Sequence, residues 1–528
     1  MSLEDSSRIV RTLADHGYTA DREAITLLAS ADDPASALAL AVEATPDDAL
    51  KLSAAEVRAA LESQPRGLRD PLSGNSDDVD PADDPSVSTG TPSRESTGIS
   101  RGPPVETTGG SARVTTRDRR TRDVDTSKRA LEIHNDMTGR STGTGEYEDF
   151  VRTFRDRYER LAGTLRGRVN HRNASALEAS PGGAEAGMIG MIADVRSTAS
   201  GHWIIDLEDP TGVFPCLVMK DKDVASVVDE LLYDEVVAVD GTLSDDGGIL
   251  FVDDLYFPDV PRTHEPSTAD RFVQVALISD VHVGSDEFEV DAFKRFADWL
   301  HTPEAESVEY LLIAGDMVEG VGVYPNQDEE LEIVDVFEQY DTFSEHLKAV
   351  PGDLDIVMIP GNHDAVRLAE PQPGFDEEIR GIMSAHDARI VSNPSVVTIE
   401  GVSILMYHGV SLDEIIAELP AEKASYDHPE RAMYHLLKKR HVAPQFGGHT
   451  RLAPEEKDYL VIDEVPDVFH TGHVHKLGWG KYRNILTVNS GCWQAQTDFQ
   501  KSVNIDPDVG FAPILDLDTL DLTVRKFE

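Results

Sequence analysis

The C-terminal half of the chain repeats one pattern, a short apolar run followed directly by a polar cluster. The runs are rich in β-branched residues and bounded by Gly and Pro, which predicts buried strands. The polar clusters are Asp280-Val281-His282, Gly315-Asp316, Gly361-Asn362-His363-Asp364, His408-Gly409 and Gly472-His473-Val474-His475. Each predicted strand therefore delivers Asp, Asn or His at its C-terminal end, where sheet-based enzymes place their chemistry.

The pattern divides the chain into four parts. Residues 1–63 have apolar positions at helical spacing and predict a small helical domain. Residues 64–145 are rich in Ser, Thr, Gly, Pro and Asp, which predicts a disordered linker because so few apolar side chains cannot offset the ordering entropy. Residues 146–262 predict an amphipathic lead-in helix and five short strands, typical of an OB-type β-barrel. Residues 263–528 alternate strands and helices, which indicates a layered α/β domain.

Two features leave alternatives open. Trp203 and Tyr233 are the clear stacking aromatics of the predicted barrel, so single-strand binding and a docking role are both compatible with it. The run Lys438-Lys439-Arg440-His441 is the most basic of the C-terminal domain. It could meet a phosphate backbone, or it could be a set of favourable cations at a helix C-terminus.

The net charge is strongly negative. The 528-residue chain has 48 Lys and Arg against 97 Asp and Glu, a formal charge of −49. A basic protein partner is one explanation. Adaptation to a high-salt cytoplasm is the better one, because the acids are spread along the chain and molar salt screens their repulsion. DNA binding is compatible with this charge, but it would rest on metals, local basic patches and partner subunits.

Cysteine content and hydropathy indicate in which cell compartment the protein is expected. Cys216 and Cys492 are too few for a disulfide framework, so a reducing environment is expected. No apolar run approaches the ~18 residues that span a bilayer. The first residues lack the basic flank and apolar core of a signal peptide. We therefore expect a cytoplasmic protein with no membrane partner.

The polar clusters contain carboxylates, a carboxamide and imidazoles, and no cysteine. Such ligands suit a pair of divalent first-row metals rather than a structural thiolate zinc site. Two adjacent metals need a carboxylate that bridges them and separate ligands on each side, which five clusters on neighbouring loops could supply. A metal pair of this kind clamps an in-line phosphoryl displacement.

In their order, the five clusters resemble the motifs of the calcineurin-like metallophosphoesterase superfamily. The resemblance implies one metal held by Asp280, His282 and His475. It implies a second metal held by Asn362, His408 and His473.

The same resemblance assigns the remaining polar residues. Asp316 would bridge the two metals. His363, steadied by Asp364, would face the leaving oxygen as general acid. All of these positions carry the residue types of the active pattern, so the resemblance implies an enzyme.

A longer stretch of sequence makes the resemblance more specific. The block Pro454 to His475, and an acidic barrel placed before the phosphoesterase domain, are similar to the small subunits of archaeal family D DNA polymerases. The similarity covers roughly Gly187 to the C-terminus and, more weakly, the N-terminal helices. It implies a multidomain fold in which a layered α/β metallophosphoesterase domain, a β-sandwich flanked by helices, follows an OB-type β-barrel and a small N-terminal helical domain.

This resemblance implies a 3′–5′ exonuclease that proofreads for a separate polymerising subunit and releases nucleoside monophosphates. We expect two divalent metal ions, manganese first, with iron, zinc or magnesium as alternatives. The expected partners are the large polymerising subunit, DNA and, through the complex, a sliding clamp. Two other functions stay open: a free-standing metallophosphoesterase, and a noncatalytic assembly subunit in which the metals only hold the fold.

Overall fold

The computed structural model describes residues 125–141, 145–322, 327–502 and 504–528, together with a few positions nearer the N-terminus. Among the latter, Thr19–Ala20 pairs in parallel with Lys51–Leu52. Leu28 and Val57 are helical and buried. Most of the predicted small helical domain at 1–63 therefore lies outside the described residues.

Regular elements follow one another closely from residue 131 onward. The strands in chain order are β1 (Leu131–His134), β2 (Glu185–Ser197), β3 (Trp203–Asp209), β4 (Gly212–Val218), β5 (Val236–Leu243), β6 (Leu250–Tyr256), β7 (Gln274–Ile278), β8 (Val308–Ala314), β9 (Asp355–Ile359), β10 (Arg389–Ile390), β11 (Ser395–Ile399), β12 (Val402–Met406), β13 (Val468–Thr471), β14 (Leu477–Tyr482), β15 (Ile485–Ser490), β16 (Phe511–Asp516) and β17 (Asp521–Lys526). The α-helices are α1 (Tyr147–Leu165), α2 (Ala174–Glu178), α3 (Val290–Leu300), α4 (Val336–Leu347), α5 (Glu377–Ile382), α6 (Ser411–Glu418), α7 (Pro429–Lys439) and α8 (Asp498–Ser502). No helix of the described residues is both long and apolar enough to cross a membrane.

Strands β2 to β6 form a closed five-stranded barrel in the order β2-β3-β4-β6-β5. The pairs are antiparallel except β4 with β6, and β5 closes the barrel against β2. The chain turns between β3 and β4 at Asp209-Pro210-Thr211-Gly212, where the Asp209 carboxylate accepts a hydrogen bond from the Thr211 N–H. The predicted five-stranded barrel is thus confirmed, and the structure shows that it is closed.

Helix α1 leads the chain onto the barrel, as the amphipathic pattern predicts. Tyr158 and Leu161 are buried on its inner face, and the Tyr158 hydroxyl donates to the carbonyl of Ile189 in β2. The Phe150 and Phe154 rings pack on Phe446 at centroid distances of 5.2 and 5.5 Å. The helix therefore contacts both the barrel and the C-terminal domain.

Two six-stranded sheets form the C-terminal domain. One has the order β10-β9-β8-β7-β16-β17, and the other has the order β14-β15-β13-β12-β11-β1. A buried apolar layer that includes Leu312, Val357, Ile404 and Val488 lies between them. Helices α3, α4 and α5 cover the outer face of the first sheet, and α6 and α7 cover the second. The domain is therefore a β-sandwich between two helical layers.

Strand β1 lies inside the segment predicted to be a disordered linker, so the predicted boundary at residue 145 is wrong. β1 pairs antiparallel with β11 at a sheet edge, and Leu131 and Ile133 pack against the apolar layer between the sheets. Just before it, the Arg129 Nε lies 2.9 Å from a carboxylate oxygen of Glu309. Two alternating apolar residues in a polar context are too short a signal to predict this edge strand.

The basic run at the end of α7 faces the barrel. The Lys438 ammonium contacts the Glu230 carboxylate, and the Lys439 Nζ lies 2.8 Å from a Glu235 carboxylate oxygen with both side chains buried. The alternative in which this run meets a phosphate backbone is therefore wrong. These ion pairs join barrel and α/β domain, which agrees with the docking role for the barrel.

Candidate metal centre

The five polar clusters converge because of how their strands pair. Strands β7, β8 and β9 are parallel neighbours in the first sheet, and β12 and β13 are parallel neighbours in the second. The carboxyl ends of parallel strands meet at one edge of a sheet. The loops that follow these five strands therefore bring their carboxylates and imidazoles into two adjacent groups.

Asp280, His282 and His475 form the first group, with ligand atoms that lie within 4.8 Å of one another. The Nε2 atoms of the two imidazoles are 3.0 Å apart, and the His475 Nε2 lies 3.5 Å from an Asp280 carboxylate oxygen. All three residues are buried. Two imidazole nitrogens and a carboxylate oxygen this close together could hold a divalent cation.

Asp316, His408 and His473 form the second group. The His408 Nε2 lies 3.1 Å from an Asp316 carboxylate oxygen and 3.0 Å from the Asn362 Oδ1. The same Asp316 oxygen lies 3.8 Å from the His282 Nε2 in the first group. The two groups therefore adjoin each other through Asp316.

The ligand side chains are held from outside these groups. His408 Nδ1 lies 2.8 Å from the carbonyl of Ala314, which accepts its proton and leaves Nε2 for the group. His282 Nδ1 lies 2.8 Å from a carboxylate oxygen of Glu319. His475 Nδ1 lies 2.8 Å from the Gln500 amide nitrogen. In all three imidazoles the Nε2 faces the group. In His282 and His408 the Nδ1 also faces an acceptor on the protein, an arrangement typical of metal-binding histidines.

The backbone is strained at these positions. Left-handed φ angles between 51° and 71° occur at five non-glycine residues of the two groups, namely Asp280, His282, Asp316, His473 and His475. Such conformations have a cost of order 1–3 kcal/mol each and cluster at functional sites. Two glycines allow close approach, since a Cβ at Gly361 would lie 2.2 Å from Asp316 Oδ1 and one at Gly472 would lie 2.2 Å from Asp280 Oδ2.

Burial and charge act in opposition at the centre. Burial alone would raise the pKa of Asp316, but His408 and other imidazoles outweigh it and hold that pKa well below 3.8. Burial would lower the pKa of His408, but Asp316 outweighs it and the pKa rises to about 10. Carboxylates that stay ionised in a buried site need cations nearby. Oxygen and nitrogen donors without thiolates therefore fit divalent metal ions, and the donor set alone does not select one.

His363 lies beside the first group. Its ring is 4.8 Å from that of His282, and its Nδ1 lies 2.8 Å from the main-chain carbonyl of Glu319. Burial alone would lower the pKa of His363, but Asp316 and Glu319 outweigh it and raise the pKa above 6.5. The imidazole is therefore able to carry a proton next to the centre.

Asp364 supports the loop that carries His363. Its carboxylate accepts hydrogen bonds from the Gly361 N–H at 2.9 Å and from the Tyr340 hydroxyl at 3.0 Å. The contact that orients the His363 ring is instead made by the Glu319 carbonyl. Asp364 therefore holds the loop in place. The sequence pattern predicts instead that Asp364 steadies the imidazole of His363.

Sequence reasoning missed three residues that hold the ligands. Glu319 contacts His282, Gln500 contacts His475, and the Asp413 carboxylate lies 3.0 Å from the His473 Nε2. Glu319 and Asp413 each lie within five residues of a predicted ligand cluster, which is a usable signal. Gln500 lies far along the chain from its partner and gives no such signal.

Comparisons with known proteins show which family the chain resembles in sequence. The family of DNA polymerase alpha/epsilon B subunits matches residues 275–477. The DNA polymerase II small subunit of Halobacterium salinarum is 64% identical over 531 residues, which cover 100% of both chains. The DNA polymerase II small subunit of Archaeoglobus fulgidus is 42% identical over 398 residues, 74% of this chain and 79% of that one.

Among solved structures, an archaeal phosphodiesterase aligns over 48% of this chain and 98% of its own, at 14% identity and a TM-score of 0.26. The full-length match at 64% identity decides the family. The chain belongs to the small subunits of archaeal DNA polymerase II, the family D DNA polymerases.

Proposed function

We propose that this chain carries a two-metal 3′–5′ exonuclease that proofreads for the polymerase. The observation that supports it best is the position of Asp316, with one carboxylate oxygen 3.1 Å from His408 and 3.8 Å from His282. That oxygen lies between two intact ligand groups, as a bridging carboxylate would. A protein with a purely structural role has no need of two adjoining sets of buried ligands on strained backbone.

Each group would hold one metal ion. Asp280, His282 and His475 would hold the first. Asn362, His408 and His473 would hold the second, and Asp316 would bridge them. When bound, the two ions would stabilise the charge of a phosphodiester and supply a nucleophile from water near neutral pH. We propose manganese, with iron, zinc or magnesium as alternatives.

His363 is the proposed general acid. Its Nδ1 proton is accepted by the Glu319 carbonyl, so Nε2 is the ring atom that would give a proton to the departing 3′ oxygen. The raised pKa of His363 favours the protonated form that this step needs. Asp364 would contribute by fixing the Gly361 turn of the same loop.

The proposed partners follow from the family and from the charge distribution. The relatives are named as small subunits of DNA polymerase II, so we propose a large polymerising subunit as the partner, with DNA as substrate and a sliding clamp reached through the complex. With 97 acidic residues against 48 basic ones, the chain has no global field to attract DNA. DNA would therefore be bound by the metal centre and by the large subunit.

The test uses 3′-labelled and 5′-labelled single-stranded oligonucleotides with manganese in high salt, with and without the large subunit. We expect stepwise shortening from the 3′ end by the wild type. His363→Ala should slow cleavage by ~100-fold to ~10,000-fold, the usual range for a general acid. The control His134→Ala removes an imidazole that is about half exposed on β1 and should leave the rate unchanged.

Metal content separates the proposal from its alternatives. His363→Ala should retain manganese, whereas Asp316→Asn should lose manganese and cleavage together. If no cleavage occurs with or without the large subunit while both variants assemble normally, the noncatalytic assembly function replaces the proposal. Full activity of the chain without any copurifying polymerase subunit would instead support a free-standing phosphoesterase.

A further inference from the structure

The imidazole of His473 contacts the protein through a different ring nitrogen from the imidazoles of His282, His408 and His475. In His282, His408 and His475, the Nδ1 contacts the protein and the Nε2 faces the ligand groups. In His473 it is the Nε2 that contacts the protein, at 3.0 Å from the Asp413 Oδ2. Nothing in the motif pattern distinguishes this histidine, so its orientation must come from its surroundings.

Helix α6 places Asp413 beside this ring. The helix starts at Ser411, two residues after Gly409, whose φ of 120° turns the chain after His408. The Ser411 N–H donates to the Tyr407 hydroxyl at 3.0 Å, and the Leu412 N–H donates to the Gly409 carbonyl at 2.8 Å. The first turn of α6 is thus anchored directly behind the ligand cluster.

A second contact fixes the Asp413 carboxylate. The Tyr426 hydroxyl donates to the Asp413 Oδ1 at 2.9 Å, which leaves Oδ2 for the His473 Nε2. The His473 main-chain N–H donates to both Asp280 carboxylate oxygens at 3.0 Å. Backbone and ring of His473 are therefore held from two sides, and its Nδ1 is the nitrogen that remains for the second group.

We propose that Asp413 is a positioning residue that selects Nδ1 of His473 as the metal-binding atom. A carboxylate at 3.0 Å accepts a proton from Nε2 and so favours the tautomer in which Nδ1 carries the free lone pair. Asp413 does not itself touch substrate or reacting atoms. The inference rests on the two-metal centre proposed above and goes beyond it, because it names a residue outside the motifs that sets the affinity for one ion of the pair.

Manganese binding by the full-length chain tests this inference without any nuclease assay. Free Mn²⁺ is followed by electron paramagnetic resonance during titration of the wild type and of Asp413→Asn in high salt. We expect two ions per chain in both proteins, with one of them bound ~10-fold to ~100-fold more weakly in the variant, the range for loss of a contact behind a ligand. Tyr426→Phe, which frees the carboxylate without removing it, should give a smaller loss in the same ion.

The matched control is Glu418→Gln, the same charge change on an exposed residue of α6. It should bind both ions like the wild type. A second measurement uses ¹⁵N-histidine labelling of the metal-free protein, with the His473 ring assigned by its loss in His473→Gln. The ring should carry its proton on Nε2 in the wild type and shift toward Nδ1 in Asp413→Asn, a change that a merely structural role would not produce.

The outcomes are distinguishable. Fewer than two ions bound by the wild type would overturn the proposed metal centre. Two ions in the wild type, with Asp413→Asn indistinguishable from Glu418→Gln, would overturn the role of Asp413 and leave the centre standing. Selective weakening of one ion in Asp413→Asn supports the inference even if no nuclease activity is found.

Discussion

A buried ion pair joins helix α1 to the α/β domain, and its removal should destabilise the protein strongly. The Arg157 Nε lies 2.7 Å from the Asp458 Oδ2, and both side chains are 1% exposed. His441 shares this oxygen at 3.0 Å. Burial lowers the pKa of His441 to about 4, so it is neutral at pH 7 and Arg157 alone balances the carboxylate. Asp458→Asn therefore leaves a buried guanidinium without its counter-charge.

The expected magnitude follows from that burial. Burial alone would raise the pKa of Asp458, but the charge of Arg157 and the hydrogen bonds from Arg157 and His441 outweigh it and hold the pKa well below 3.8. Breaking one partner of a buried pair typically lowers the free energy of unfolding by about 3–5 kcal/mol. For a folded unit that spans Ser100–Glu528 the unfolding entropy is roughly 0.9 kcal/mol/K, so we expect the melting temperature to fall by roughly 3–6 °C.

Thermal unfolding in molar salt, followed by circular dichroism, measures this effect. The control Arg152→Gln removes an arginine on the same helix that is 52% exposed and pairs with Asp149, and it should change the unfolding free energy by less than ~1 kcal/mol. The Asp458→Asn shift should persist as salt is raised, because buried charges are screened much less than exposed ones. Equal melting temperatures for the two variants would refute the reasoning.

Two further predictions concern the barrel contact and the metal centre. Burial alone would raise the pKa of Glu230, but Lys423 and Lys438 outweigh burial and lower that pKa from 4.5 to about 2. The ionised Glu230 therefore stabilises the fold fully above pH 4.5, and this stabilisation is lost as the pH falls toward 2. The melting temperatures of wild type and Glu230→Gln should converge over that range. A constant difference between them would show that the ion pairs of Glu230 do not stabilise the protein. Gly361→Ala would place a Cβ 2.2 Å from Asp316 Oδ1 and should abolish manganese binding, measured by mass spectrometry, whereas Gly381→Ala, with no atom within 4 Å of the added Cβ, should retain it.

The strands that carry the candidate site could be predicted from the sequence because they are apolar on both faces. The run Tyr310 to Ala314 predicts the C-terminal part of β8, and Ile356 to Ile359 predicts nearly all of β9. Strands buried between helices and a second sheet need apolar residues at every position, which makes them visible as continuous runs. Their C-terminal ends then locate the polar clusters that follow.

Other features depend on partners that are distant in sequence. Strand β1 carries only two alternating apolar residues, and it becomes a strand because the edge of β11 is available to pair with it. Lys439 has the same sequence context as an exposed cation at a helix end, and only the barrel residue Glu235 makes it a buried one. Glu319 likewise contacts the His282 imidazole only because the fold brings the loop after β8 next to His282. No local pattern predicts such pairings.

The geometry of the site is imposed mainly by the fold. Five ligands in left-handed conformations would relax if their loops were free, since each such residue has a cost of order 1–3 kcal/mol. They are retained because each loop is tied to the loop of the neighbouring strand in its own sheet: the Asp280 N–H donates to the Gly315 carbonyl at 3.0 Å, and the Gly472 N–H donates to the His408 carbonyl at 2.8 Å. Contacts outside the ligand groups orient the imidazoles in turn. In the proposed metal centre, residues such as Gln500 and Asp413 would therefore act on metal affinity through the imidazoles that they contact.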